Sequence, residues 1–375
     1  PPPEDVAPLA LAEPGASRPY GLGRPETLLL SSGSAGSAGS AWDLGVRVGD
    51  VVGRYDLLAL GGSGDAGPRG GAVTGAYRGL PIELSGHVFQ VEERLSRQKD
   101  VVEGPAVPEV DPGTALPPSP SAQPGISVRG LDAERRGIEL ASGWTRHGLN
   151  GRVRLSPGLF VGEIEPLPGA GKEDAGAGSL DQQILFLAAD WQGRRHLGRW
   201  TFTPAAEARW DTGDTGGDSW DRWRAAAGLG LSYQRTGELG IAWTRGRASG
   251  ARHPWDLFQV GGTPSSLLPE AVLASRVLAP ALPAGILLGE EVDSQRLDLA
   301  LDALPLPLFA ERYRVAAGGV WGEWLRIAGV EWRLATPPLP IGALPALDLR
   351  LGAARVLDPP LEGDDRWWIA VVLRP

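Results

Sequence analysis

From Arg199 to Trp210 apolar and polar positions alternate along the chain. Trp200, Phe202, Ala206, Ala208 and Trp210 share one parity, while Arg199, Thr201, Thr203, Glu207 and Arg209 share the other. Successive side chains of a strand face opposite sides, so this spacing predicts a strand with one apolar face and one charged face. After an Asp/Gly-rich connector, Asp211 to Asp221, the pattern returns as Trp223, Ala225, Ala227, Leu229, Leu231 and Tyr233 against Arg222, Arg224, Gly228, Gly230, Ser232 and Gln234. Each segment carries aromatics about ten residues apart, the length with which a tilted strand crosses a bilayer. The pair reads as a lipid-facing hairpin whose aromatics mark the two interfaces.

The same alternation recurs along the chain. It predicts strands at Arg24 to Ser31, Trp42 to Val48, Arg54 to Gly62, Gly70 to Arg78, Pro81 to Val91, Glu134 to Arg146, Gly151 to Glu163 and Gln182 to Gln192. Beyond the hairpin it predicts Gly237 to Arg247, Ser294 to Leu304, Ala310 to Trp321, Leu325 to Ala335, Ala346 to Leu357 and Arg366 to Arg374. The total is about sixteen strands (range about 12–16), an even number that suits an all-β, closed, antiparallel transmembrane barrel. The Gly/Ser/Ala tract Ser31 to Ser40 reads as a flexible turn. Long loops are expected at 92–125 and 248–292, and residues 1–24, rich in Pro and without periodicity, read as a linker from an upstream domain.

Composition narrows the picture. The chain is 42% hydrophobic with a mean hydropathy of -0.11, and it has no run of about eighteen apolar residues, which excludes helical membrane spans but not strands. Trp outnumbers Phe and Tyr (14 against 6 and 5). In a barrel Trp belongs at the interfaces; in a soluble β-sandwich, the alternative in another class, the same rings would be platforms for carbohydrate. A net charge of -9 argues against nucleic acid as a partner. With Cys 0 there is no disulfide, thiolate or cysteine-metal chemistry. With Met 0 and a start at Pro1-Pro2-Pro3, a processed or truncated product is expected, in which a targeting signal is not readable.

Candidate chemistry is sparse. The four histidines, His87, His147, His196 and His253, lie outside metal-ligand spacing of one another. Ser142 with His147, or His253 with Asp256, would be the hydrolase pairs, but both histidines fall in turns or loops, so no catalytic residue, metal or cofactor is expected. The Asp211 to Asp221 connector could collect Ca²⁺ but lacks the fixed offsets of an EF-hand loop. The charges expected to face the lumen are Arg199, Glu207, Arg209, Arg222, Arg224, Arg296, Asp298, Asp302 and Arg350; such rings either tune a pore or form ion pairs that plug it. The aromatic girdle is expected from Trp191, Trp200, Trp210, Trp223, Tyr233 and Trp243.

Two stretches carry a family resemblance. The C-terminal alternation Trp367, Ile369, Val371 and Leu373 resembles the terminal β-signal by which outer-membrane barrels are recognised for insertion, although the chain ends Arg374-Pro375 rather than in an aromatic. Phe258-Gln259-Val260-Gly261-Gly262 with Ser265, Ser266 and Leu267 is similar to the lumen loop of the barrel-assembly and two-partner-secretion superfamily. Leu268 and Pro269 stand where that family has an Arg and a Gly. More loosely, the Pro-rich entry, Gly49-Asp50 before Gly53-Arg54-Tyr55, and the Tyr77 to Pro81 turn look like barrels fused behind a Tol-type β-propeller. The resemblance implies a bacterial outer-membrane location, lipid and the barrel-assembly machinery as partners, and an upstream propeller or other periplasmic partner. It implies a non-enzymatic role in translocation or assembly, or as a membrane anchor; a diffusion porin is the alternative within the same architecture.

Overall fold

The computed structural model describes residues 25–37, 39–50, 54–64, 67–93, 132–167, 178–234, 236–262, 265–301, 306–335, 346–358, 361 and 363–374. The expected linker 1–24, Asp302 and residues 94–125 of the expected loop 92–125 lie outside them, while Glu92 and Glu93 are strand. The first wall strands are β1 (Pro25–Gly36), β2 (Gly39–Asp50), β3 (Tyr55–Gly64), β4 (Arg69–Tyr77), β5 (Glu83–Glu93), β6 (Ala133–Gly148), β7 (Gly151–Pro166) and β8 (Leu180–Gly193), whose track the short β9 (Arg195–Leu197) continues. Next come β10 (Trp200–Thr215), β11 (Asp218–Tyr233) and β12 (Gly237–Ser249). The connection that follows holds β13 (Phe258–Val260), the one-turn helix α1 (Glu270–Leu273), β14 (Arg276–Val277) and β15 (Leu287–Gly289). The wall resumes with β16 (Glu291–Leu301), β17 (Leu308–Ala317), the two-residue β18 (Val320–Trp321), β19 (Leu325–Ala335), β20 (Ala346–Val356) and β21 (Asp365–Arg374).

Sixteen of these strands pair antiparallel with their chain neighbours, and β1 pairs with β21, so the sheet closes. Pairing β1 with β21 joins the two edges of the sheet, as a crossing of hydrocarbon requires, although only the loop-side third of β1 takes part. The seam is short: Gly33 to Gly36 pair with Val371 to Trp368, extended by Ser37 N donating to the Trp367 carbonyl (2.9 Å) and Trp367 N donating to Ser37 Oγ (2.9 Å).

Parity falls as the alternation predicts. On β10, Arg209 and Asp211 are buried while Trp210 is exposed; on β11, Trp220 and Arg222 are buried while Trp223 is exposed. Chain alternation gathers the connections β5–β6, β7–β8 and β12–β16 at one end of the barrel, here the loop end, and tight connections such as 149–150, 198–199 and 234–236 at the other, the turn end. Outward aromatics form two bands. Trp42, Trp210, Trp223, Trp243 and Trp367 lie toward the loop end, and Trp144, Trp191, Trp200, Tyr233 and Tyr77 toward the turn end. Between the bands the outer face is apolar, with Leu140, Leu185, Leu229 and Ile241 exposed. An exposed apolar belt between aromatic girdles on a closed sheet is the surface of a membrane-spanning barrel.

Two expected turns are strand instead. Ser31 to Gly36 belong to β1, and Gly39 and Ser40 to β2, paired residue for residue. The Asp211 to Asp221 connector shrinks to Gly216-Gly217, at φ +61 and +91, the left-handed geometry that a two-residue hairpin turn requires. Gly, Ser and Asp disfavour strands only weakly, and neighbouring ladder hydrogen bonds override that preference.

Candidate functional site: the lumen and its plug

The β12–β16 connection folds into the barrel. Its three short strands form a separate sheet, with β13 between β14 and β15. Phe258, Val260, Leu267, Leu282 and Ile286 are essentially inaccessible. They pack in two clusters against inward side chains: Phe309, Tyr313, Ile327 and Trp368 on one side of the wall, and Phe89, Phe160, Phe186 and Trp220 on the other. The plug thus touches the wall all round. The Gly261-Gly262 pair makes the fold of the plug possible: Gly261 sits at φ +108, and a Cβ there would lie 1.9 Å from the Pro283 carbonyl oxygen.

Polar contacts fix its orientation. Arg209 Nε donates to Asp211 Oδ1 (2.6 Å), Arg222 Nε donates to Asp211 Oδ2 (2.9 Å), and all three side chains are buried. Arg209 stacks on Phe186 (4.2 Å) and reaches Glu270 at the start of α1 (2.9 Å). Arg222 donates to the carbonyls of Asp256 (3.3 Å) and Ala271 (3.4 Å), and Arg224 to those of Ala274 and Arg276 (both 3.4 Å). From β6, Glu139 accepts from Ala271 N (2.6 Å); from β5, Glu93 accepts from Arg276 (2.7 Å). His87 bridges Thr74 Oγ1 (2.8 Å) and the Leu267 carbonyl (3.1 Å), which requires the proton on Nε2. Ser266 Oγ donates to Asp43 on β2 (2.9 Å). Asp256 Oδ1 accepts from Gln182 (2.9 Å) and Thr215 (3.0 Å), and burial raises this carboxyl above its ordinary range.

The expected lumen charges fall as follows. Glu207, Arg209, Arg222, Arg224, Arg296 and Asp298 lie on the inner parity of their strands. Arg350 shares the inner parity of Ala354 and Val356 and is half-buried. Arg199 lies exposed in the turn before β10 rather than on the wall. Arg296 gathers Asp298 (2.7 Å), Glu311 and Glu331 (3.4 Å) into a second network on β16, β17 and β19. The girdle residues Trp191, Trp200, Trp210, Trp223 and Trp243 are outward and exposed, and Tyr233 packs tilted against Trp200 with ring centroids 4.8 Å apart. Phe258, Gly261, Gly262, Ser265 and Leu267 all lie in the plug. In the C-terminal strand Trp367 and Ile369 face out, and Val371 and Leu373 hold register with Leu349 and Leu347.

Sequence reasoning missed the wall partners His87, Glu93, Glu139 and Asp211. Each stands at an inner-parity position of an apolar-out strand, the one signal that could have found them. The hydrolase pairs are not assembled: His147 is exposed beside the β6–β7 turn, and Asp256 binds Gln182 and Thr215. The guanidiniums that meet the plug stand on the wall, where Arg209 reaches Glu270 and Arg222 and Arg224 hold plug carbonyls.

No protein-family model matches the chain, and no curated protein does. Among solved structures it is similar to CdiB from Acinetobacter baumannii (13% identity over 92% of this chain and 59% of that chain, TM-score 0.56). It is also similar to BamA from Haemophilus ducreyi lacking POTRA domains 1-3 (11%, 93% and 70%, TM-score 0.54) and to CdiB from Escherichia coli (12%, 91% and 62%, TM-score 0.52). The chain thus spans about three-fifths of either CdiB. At these identities the likeness is one of fold: this chain is a closed, sixteen-stranded β-barrel of the outer-membrane type.

Proposed function

We propose that this barrel works in the bacterial outer membrane as a plugged translocation or assembly barrel, the membrane domain of a larger envelope protein whose upstream periplasmic part joins it through residues 1–24. The observation that carries the reading is the plug. It occupies the lumen, which argues against a constitutively open diffusion pore. Many of its contacts are hydrogen bonds to wall guanidiniums and carboxylates, which water can replace when the plug leaves. The likeness in fold to the CdiB and BamA barrels, together with the Phe258 to Leu267 loop that resembles the lumen loop of the barrel-assembly and two-partner-secretion superfamily, supports a translocation or assembly role. No step of the reading calls for an enzymatic group.

The mechanism follows from the wall. Lipid sees a sheet joined edge to edge at the short β1–β21 seam, the girdles fix its depth, and a path through the lumen exists only while the plug is displaced. One observation favours the anchor reading instead: the plug also buries Phe258, Val260, Leu267, Leu282 and Ile286, as a permanent closure would. A tether separates the two. Asp43→Cys with Ser266→Cys joins plug to wall where the native side chains hydrogen-bond. In planar bilayers a mobile plug gives openings that oxidation abolishes and a reductant restores. Identical traces in both states would mean that the plug does not move, and would leave the anchor.

A further inference from the structure

At the loop end the outward face of the barrel is divided by charge. On β5 to β8 the outward positions hold Glu92, Glu134, Glu163, Glu165 and Asp181, with Arg136 paired to Glu163. On β12 to β19, at the corresponding height, they hold Arg245, Arg247, Arg312, Arg314 and Arg326. The carboxylates there are Glu291, Asp293 and Asp358, with Glu323 exposed in the β18–β19 connection. Arg247 pairs with Glu291 (3.6 Å), Arg314 with Asp293 (3.0 Å) and Arg326 with Asp358 (2.6 Å). Arg312 contacts Gln295 (2.6 Å), and Arg245 approaches the Trp321 ring (5.8 Å); neither has a carboxylate partner among the described residues.

Aromatic rings hold these guanidiniums in place. Arg314 lies between Trp321 (4.6 Å) and Trp324 (4.3 Å), and Arg312 covers Trp324 from 4.4 Å. In register Arg245 faces Asp293, Asp293 faces Arg314, and Arg312 faces Arg326. Arg245 and Arg312 are therefore two strands and a two-residue offset apart, about 12 Å between backbones, a gap that two extended arginine side chains reach across toward one headgroup. Arg245 and Arg247 lie on the loop side of Trp243, and Arg247 is opposite Trp223, which places them at the level of the girdle, where headgroups lie. Long loops mark the outer face of such barrels, so the headgroups at this height belong to the outer leaflet.

We propose that this face is a binding site for a phosphorylated lipid of the outer leaflet, with Arg245 and Arg312 as the phosphate ligands and the Trp321–Arg314–Trp324 stack as their support. A planar guanidinium donates two parallel hydrogen bonds to one phosphate, and stacking on tryptophan pre-orients it, so less freedom is lost on binding. The site rests on the membrane reading of the fold and is independent of what the plug does.

The test refolds the chain in detergent micelles containing equimolar phosphatidic acid and phosphatidylcholine and counts retained lipid by native mass spectrometry. The wild type is expected to retain phosphatidic acid at least about tenfold over phosphatidylcholine, the loss of one to two charge-assisted contacts being worth that much. Arg245→Gln with Arg312→Gln should bring the ratio near one, while Arg136→Gln on the acidic face leaves it unchanged. Both single variants, expected to be intermediate, guard against a folding defect, which heat-modifiable migration reports. Inorganic phosphate in tenfold excess should leave the adducts in place; displacement by it would mean that a free anion, not a lipid, is recognised. Equal retention of the two lipids by the wild type, or a preference surviving in the double variant, would overturn the site. A chain that stays soluble without detergent would instead overturn the membrane reading beneath it.

Discussion

Asp211→Asn removes the carboxylate shared by Arg209 and Arg222. With the plug docked, the two guanidiniums are 2% exposed at the side chain and share that carboxylate at 2.6 and 2.8 Å. Removing one partner of a buried ion pair costs about 3–5 kcal/mol, because the remaining charge stays desolvated. When the plug undocks, water in the lumen hydrates both arginines, so the penalty falls on the docked state. At about 1.4 kcal/mol per decade the docking equilibrium shifts roughly 140- to 3,700-fold. Ser275, buried in the plug, reports it. In a Ser275→Cys background the rate of labelling by a water-soluble maleimide should rise at least about a hundredfold with Asp211→Asn. Glu207→Gln, which breaks the half-exposed Glu207–Arg224 pair, should change it less than about fivefold, since exposed pairs are worth roughly 0–1 kcal/mol. Labelling that moves less than threefold in the Asp211 variant would refute the view that buried charge holds the plug.

Other outcomes follow from the same geometry. Gly261→Ala puts a Cβ against the Pro283 carbonyl at a φ that L residues avoid, so Ser275→Cys labelling should also speed up, by about five- to 140-fold for a strain of roughly 1–3 kcal/mol. Ser34→Cys with Ala370→Cys, opposite each other in the seam, should cross-link the first and last strands within one chain; a pair that never cross-links would mean an open sheet. Arg326 holds the Asp358 carboxyl below its ordinary range. The stability from that pair is therefore complete above the unfolded carboxylate value near 4 and is lost as pH falls through the depressed folded value. Unfolding in denaturant between pH 5 and pH 2 should show a wild-type advantage over Asp358→Asn that vanishes at the acid end, and an advantage that grew on acidification would contradict it.

Much of the wall was legible in the alternation. Trp210 and Arg209 on β10, and Trp223 and Arg222 on β11, fall on opposite faces because strand parity is set locally and lipid and lumen select opposite residue types. The strand extensions through Ser31 to Gly36 and around Gly216-Gly217 were not legible, since weakly biased residues take their conformation from the partner strand. The lumen charges were visible as a set, but not their partners. Glu139 meets Ala271 across 132 residues of sequence, and His87 meets Leu267 across 180. Parity says that a side chain points inward; only the path of the plug decides what it meets there.

The most direct test of the central claim is the conductance of the refolded barrel in planar bilayers, before and after residues 252–288 are replaced by a short Gly/Ser linker. A plugged barrel is silent or only briefly open as the wild type and conducts steadily once the plug is gone. Steady conductance in the wild type, unchanged by the deletion, would contradict the plug and return the molecule to an open pore.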